Sequence, residues 1–89
     1  MVVIKETAVG DLEGVGVGAG NFWEREFQLP DRSLKEGMTA QIWVGDEAKL
    51  VVGRGSRFEA GGHHWLVVEV AKPPGRLGKL SLRRVNPQS

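Results

Sequence analysis

The sequence predicts a small all-β domain, and three observations lead to that prediction. Thirteen glycines are spread along 89 residues, which leaves few windows long enough for a stable helix. Short segments of alternating or β-branched apolar residues recur along the chain instead. Turn-forming residues separate these segments about every 8–12 residues, which is typical of sandwiches and barrels. We therefore expect a single domain, residues 1–89, with six to seven short antiparallel strands.

The predicted strands follow the apolar segments in order. The strongest is 63–71, which is rich in Trp, Leu and Val. In another, 38–44, strict alternation points Ile42 toward the core and Trp43 away from it. The remaining predicted strands are 2–7, 22–29, 49–52, 57–60 and 79–85. Closing the sheet removes exposed strand edges, so we expect an SH3-like or related small barrel or sandwich.

The segments between the predicted strands contain turn-forming residues. Residues 45–47 and the Gly61-Gly62 pair suit hairpin turns. Two adjacent prolines, which lack N–H donors, make 72–78 an exposed Pro/Gly loop. Residues 86–89 are expected to form a short flexible tail.

At most one helical turn is predicted, near residues 31–37. Ser33 and Glu36 have the spacing of a capping box, and Gly37 fits a C-terminal stop.

Little in the chain indicates catalysis, a metal or a cofactor. The sequence contains no Cys, so thiolate chemistry, disulfides and Cys-bound metals are excluded. His63 and His64 are adjacent and would point to opposite faces of a strand, so we expect no metal site there. Glu24 and Glu26 share a strand face and form either a carboxylate pair for acid–base chemistry or a solvated surface. We expect a non-enzymatic protein without cofactors, located in the cytoplasm because no signal peptide or membrane span is evident.

A glycine ladder precedes the second apolar segment, 22–29. Gly14, Gly16, Gly18 and Gly20 alternate with Val15, Val17 and Ala19. In a strand this spacing leaves one face without side chains. Either a neighbouring ring or backbone packs closely on the bare face, or the face receives a ligand or partner strand, or the segment is a mobile flap.

Charge is divided unevenly along the chain. Residues 1–48 hold four Lys/Arg and nine Asp/Glu, whereas residues 49–89 hold eight Lys/Arg and two Asp/Glu. Basic residues near Phe58 and Trp65 suggest a single-stranded nucleic-acid site, with candidates Lys72, Arg76, Lys79, Arg83 and Arg84. Against this, both aromatic residues fit core positions, and Arg83 is able to face Glu24 or Glu26 across strands.

Residues 56–85 resemble the first, SH3-like (KOW-type) domain of bacterial elongation factor P. The shared features are a Gly turn before an apolar strand, Val68-Glu69, Lys72-Pro73, Gly75 and the closing Leu82-Arg83-Arg84. The resemblance implies the barrel topology. It does not imply the ribosomal role, because Arg76 stands at the family's loop-tip Lys, a second Pro interrupts the loop and the two following OB domains are missing. Residues 50–70 are also similar to small uncharacterised actinobacterial all-β proteins, which implies no activity.

Taken together, the residues favour a small bacterial β-barrel that binds a protein partner or assembles with itself. Trp23 and Trp43 are candidates for an exposed patch, because Trp is enriched at interface hot spots. Gly16 and Gly18 on the bare strand face complete the candidate site. Alternatively, the barrel encloses all three tryptophans. The rival hypothesis is nucleic-acid binding through the basic residues of the second half.

Overall fold

The computed structural model describes residues 1–46 and 48–86, which form eight β-strands. Buried and exposed residues alternate along much of their length. This part of the chain forms no helix, and therefore none that is long and apolar enough to span a membrane. The all-β prediction is confirmed. The strands are β1 (Val2–Lys5), β2 (Val9–Leu12), β3 (Val15–Gln28), β4 (Leu34–Val44), β5 (Ala48–Gly53), β6 (Arg57–Ala60), β7 (His63–Ala71) and β8 (Lys79–Val85).

The strands form two antiparallel sheets of four. The first sheet has the order β1-β8-β7-β6, and the second has the order β2-β3-β4-β5. Apart from β8 beside β1, every hydrogen-bonded neighbour is also the next strand in sequence. The chain turns from one sheet to the other between β1 and β2 and again between β5 and β6, and the pairing of β8 with β1 joins the two ends of the chain.

One apolar core lies between the sheets. Trp65 belongs to it, and its indole Nε1–H donates a hydrogen bond to the Ala60 carbonyl at 3.0 Å, so its polar group is satisfied despite burial. Alternate residues of each strand supply the rest: Ile4, Leu12, Val17, Ala19, Phe22, Ala40, Ile42, Val44, Val52, Phe58, Ala60, Val67, Leu80 and Leu82.

Eight strands are present where the sequence predicted six to seven. Residues 9–12 form β2, a four-residue edge strand too short to give an alternation signal. Residues 15–28, which include the glycine ladder from Gly16 onward, form one continuous strand, β3, although glycine disfavours strands. Pairing with β2 on one side and β4 on the other supplies the hydrogen bonds that outweigh this preference.

The helical turn predicted near residues 31–37 is wrong. Residues 34–37 begin β4, and residues 29–33 close a β-hairpin in which the Leu29 N–H donates to the Ser33 carbonyl at 2.9 Å. The Ser33 hydroxyl donates to Asp31 Oδ1 instead of capping a helix. This bond and one from the Ser33 N–H lower the pKa of Asp31, because both favour its charged form. Glu36 is paired in the sheet with Glu26.

The Gly61-Gly62 hairpin is confirmed: Ala60 pairs with His63, and both glycines have positive φ, 63° and 78°, as a primed two-residue turn requires. In the turn predicted at 45–47, Glu47 lies outside the described residues, as do residues 87–89 of the predicted tail.

Candidate functional site

One aromatic ring packs on the glycine ladder. Val17 and Ala19 point into the core, so the alternating glycines lie on the outer face of the second sheet. Trp43 of β4 pairs with Gly18, and its indole lies along β3. A Cβ at Gly20 would lie 3.3 Å from Cζ3 of that indole, and one at Gly18 would lie 3.9 Å from Cε3. A close-packed neighbouring ring, one of the interpretations open from the sequence, therefore occupies part of the bare face.

Two of the three tryptophans are exposed on this same face. Trp43 retains 39% of its surface and Trp23 retains 61%, whereas Trp65 in the core retains 5%. Val9 from β2 and Val51 from β5 are exposed beside them and pair with Gly18 and Gln41 respectively. We call this surface the tryptophan face: Val9, Gly16, Gly18, Gly20, Trp23, Trp43 and Val51.

Polar groups join the two tryptophans. Thr39 pairs with Trp23, and Trp43 lies four residues further along β4, so the two side chains are about 13 Å apart along the strand direction. Between them, the Asn21 amide donates to Gln41 Oε1 at 2.6 Å. At the far end, the Arg25 guanidinium lies 5.9 Å from the centre of the Trp23 ring, within range of a cation–π contact.

Two adjoining clefts lie at the glycine end of this face. The cleft beside Trp43, about 530 Å³, has walls of Val9 and Trp43. The second, about 480 Å³, is formed by three hairpin turns and includes Glu59. Both clefts share Gly16, Gly45 and Asp46. We call the pair the turn clefts. None of their described lining residues is Lys, Arg or His.

A second aromatic ring closes the opposite end of the outer face. Beyond β2 and β5, residues 24–28 and 34–38 pair only with each other as a two-stranded ribbon. Phe27 of this ribbon is buried but lies outside the main core cluster. A Cβ at Gly53 would overlap its ring, with Cε2 only 2.6 Å away. The ribbon therefore curls over the end of β5.

The structure does not gather the five basic candidates into one site. Lys72 forms an ion pair with Glu6 at 2.5 Å, and Arg84 lies 3.5 Å from Glu13. Arg76 is exposed in the loop at 72–78. The same Glu6 carboxylate accepts a hydrogen bond from the buried Gly78 N–H at 2.9 Å. That bond, with the Lys72 contact, lowers the pKa of Glu6.

Lys79 and Arg83 do share a surface, the outer face of the first sheet. Lys79 pairs directly with Lys5, a basic neighbour on β1 that sequence reasoning missed because only the tertiary pairing of the two chain ends brings it there. Phe58 and Trp65 are buried and offer this surface no stacking partner.

Arg83 does not pair with Glu24 or Glu26, the alternative that the sequence left open. Arg83 pairs with Leu66 in the first sheet, whereas both glutamates lie on the ribbon of the second sheet. Strands of the acidic and basic halves are nonetheless neighbours, since β1 pairs with β8 and β4 pairs with β5. In the described residues, the ion pairs Glu6–Lys72 and Glu13–Arg84 also join the two halves.

The residues considered for metal or acid–base chemistry are dispersed. His63 and His64 are half-buried on adjacent positions of β7, while Glu24 and Glu26 are exposed. Within residues 1–46 and 48–86, no group of three or more His, Cys, Asp or Glu is placed to hold a metal ion.

Comparisons of the chain with protein-family models, curated proteins and solved structures find no match.

Proposed function

We propose that this protein is a non-catalytic binding module that recognises a protein partner through the tryptophan face. The observation that carries the proposal is the unequal burial of the tryptophans: Trp65 is in the core, whereas Trp23 and Trp43 are exposed on one face. Exposing two large aromatic rings on one face forgoes the stabilisation that burial would give them. Trp is also the residue type most enriched at interface hot spots.

The construction of the face supports this role. The two tryptophans belong to β3 and β4, which pair at ten register positions. The surface is therefore pre-organised, and little conformational entropy would be lost when a partner binds. Valines flank the rings, and the Asn21–Gln41 hydrogen bond lies between them. Aromatic residues are enriched in interfaces relative to the rest of the protein surface. An SH3-like barrel topology and a cytoplasmic location remain parts of the proposal.

Selection of peptides displayed on phage against the immobilised protein tests the proposal. We expect enriched peptides to lose at least tenfold in affinity for Trp43→Ala or Trp23→Ala, because a hot-spot residue contributes about 2 kcal/mol or more. Leu77→Ala is the matched control, since Leu77 is an exposed apolar residue in the loop at 72–78. Peptides that bind all three variants equally would contradict the proposal.

Sedimentation velocity identifies a second copy of the chain as the partner or excludes it. If the partner is a second copy, we expect a concentration-dependent dimer that Trp43→Ala abolishes and Leu77→Ala preserves.

Single-stranded nucleic-acid binding is the second candidate, and one observation favours it. Lys5 and Lys79 face each other in register on the outer face of the first sheet, with Arg83 on the same strand face, although like charges directly opposite each other are destabilising. This arrangement predicts binding of an oligothymidylate that weakens steeply with salt and is lost in Lys79→Glu/Arg83→Glu. No binding at low salt would remove this candidate.

A further inference from the structure

The turn clefts carry negative charge beside the exposed apolar residues Val9 and Trp43. Asp46 lines both clefts and Glu59 lines one, while the described lining residues include no cation. In the register, His64 pairs with Glu59 from β7, and Lys49 pairs with Trp43 from β5. Lys49 is therefore on the side of β4 away from the cleft beside Val9 and β3.

The cleft beside Trp43 also suits the stem of a long side chain. Gly16 and Gly18 form a floor without side chains, and Val9 and Trp43 form the walls. Because the indole lies along the glycines, its ring borders the cleft. An aliphatic stem can lie on the glycine floor and against Val9, as the stems of Lys and Arg do on apolar surfaces. A cationic head at its end is attracted by the indole π-system and by a carboxylate.

We infer that the turn clefts bind a lysine or arginine side chain of the partner protein, with its stem over Gly16 and Gly18, between Val9 and Trp43, and its charge toward Asp46 and Glu59. The inference rests on the proposed function and adds the chemistry of the recognised segment. An acidic or wholly apolar segment would leave the carboxylates of the clefts desolvated without a partner, which is unfavourable.

Titration of the ¹⁵N-labelled protein with capped pentapeptides tests this assignment. The four probes carry arginine, lysine, leucine or glutamate at the centre of four glycines. The readout is the indole N–H cross-peaks of the three tryptophans, assigned with Trp23→Phe and Trp43→Phe. We expect the arginine and lysine peptides to shift the Trp43 cross-peak and leave the Trp65 cross-peak in place, and the leucine and glutamate peptides to bind more weakly.

A pair of double variants separates a local site from general attraction. Asp46→Asn/Glu59→Gln removes two charges from the clefts, and we expect it to weaken arginine-peptide binding about three- to tenfold, as two partly exposed ion pairs would. Glu24→Gln/Glu26→Gln removes the same charge from the ribbon and should change affinity less than twofold.

Equal binding of the leucine and arginine peptides at Trp43 would overturn the inference, as would equal losses in the two double variants. Either result would leave the proposed protein-binding role standing, because that role depends on the loss of selected peptides in Trp23→Ala and Trp43→Ala.

Discussion

Two aromatic rings pack on glycines of the same sheet face, but one ring is buried and the other is partly exposed. Phe27 packs on Gly53 and is 6% exposed, whereas Trp43 packs on Gly18 and Gly20 and is 39% exposed. In both places the missing Cβ lets the ring lie against a strand, a known way to compensate glycine in a sheet. The local packing principle is the same at the two ends of the face.

The difference between these ends comes from what covers the ring. Phe27 belongs to the ribbon that curls over the end of β5, and its ring is buried there against Gly53. The contact at Trp43 is bordered by the turn clefts. A contact covered by its own chain stabilises the fold, while the uncovered one is available to a partner. Measurements of stability test this distinction.

The largest effect is expected at the two rings. Phe27→Ala should lower the free energy of unfolding by about 3 kcal/mol, as for other buried phenylalanines. Trp43→Ala should lower it by about 1 kcal/mol, because much of the indole is already in water. Urea unfolding followed by far-UV circular dichroism measures both. Equal losses would mean that Trp43 is as much a core residue as Phe27.

Alanine substitutions of the glycines beneath the two rings should also differ, with the larger loss of stability beneath Phe27. Gly53→Ala should cost about 2 kcal/mol, because the new methyl group overlaps the buried Phe27 ring and the surrounding packing prevents relief. Gly20→Ala should cost less than about 1 kcal/mol, since the indole can move outward from 3.3 Å. Thermal unfolding of the two variants provides the comparison, and a larger loss for Gly20→Ala would contradict it.

A smaller effect is expected where the ribbon begins. The Thr39 hydroxyl donates to the Trp23 carbonyl at 2.8 Å in a site with no exposed surface. Thr39→Val keeps the shape and removes this bond, so we expect a loss of about 1 kcal/mol by urea unfolding. Thr39→Ser retains the hydroxyl and is the control for it. Unchanged stability of Thr39→Val would show that the bond contributes nothing to holding the ribbon.

The smallest effect is expected away from both rings, at Glu6. Its folded-state pKa lies below the ordinary value of 4.5 because Gly78 N–H and Lys72 bond to the carboxylate. Ionised Glu6 therefore stabilises the fold above pH 4.5, and this contribution is lost as the pH falls through the lowered pKa. Wild type should exceed Glu6→Gln in stability at pH 7, with the difference shrinking in acid. Trp43→Ala is the control and should keep the pH dependence of the wild type. If the stability difference between wild type and Glu6→Gln stayed constant from pH 7 to pH 2, the link between the Glu6 pKa and stability would be contradicted.

Local sequence signals predicted most strands and one turn well. Alternation in 38–44 correctly placed Ile42 inward and Trp43 outward, and Gly61-Gly62 predicted its hairpin. These features depend on side-chain period and on φ preferences, which short segments carry by themselves. The predicted helical turn failed because Ser33 and Glu36 fit two local structures, and hairpin pairing decided between them.

The candidate site was predictable in its residues and not in its geometry. Trp23, Trp43, Gly16 and Gly18 were singled out from composition and spacing, yet the indole over Gly18 depends on the register of β3 with β4. The turn clefts depend on three hairpins meeting at one end. Asp46 and Glu59, which carry their charge, had no signal in the sequence that set them apart from other exposed carboxylates.

The sequence by itself determined that this chain is all-β and which residues of several strands face inward, because both follow from periods of a few residues. Only the tertiary structure decided which strands are neighbours. It placed the basic β8 beside β1 and the glutamates of the ribbon in the other sheet, and it covered Phe27 while leaving Trp43 exposed. Register and burial depend on contacts between residues distant in sequence, whose energies no local pattern contains.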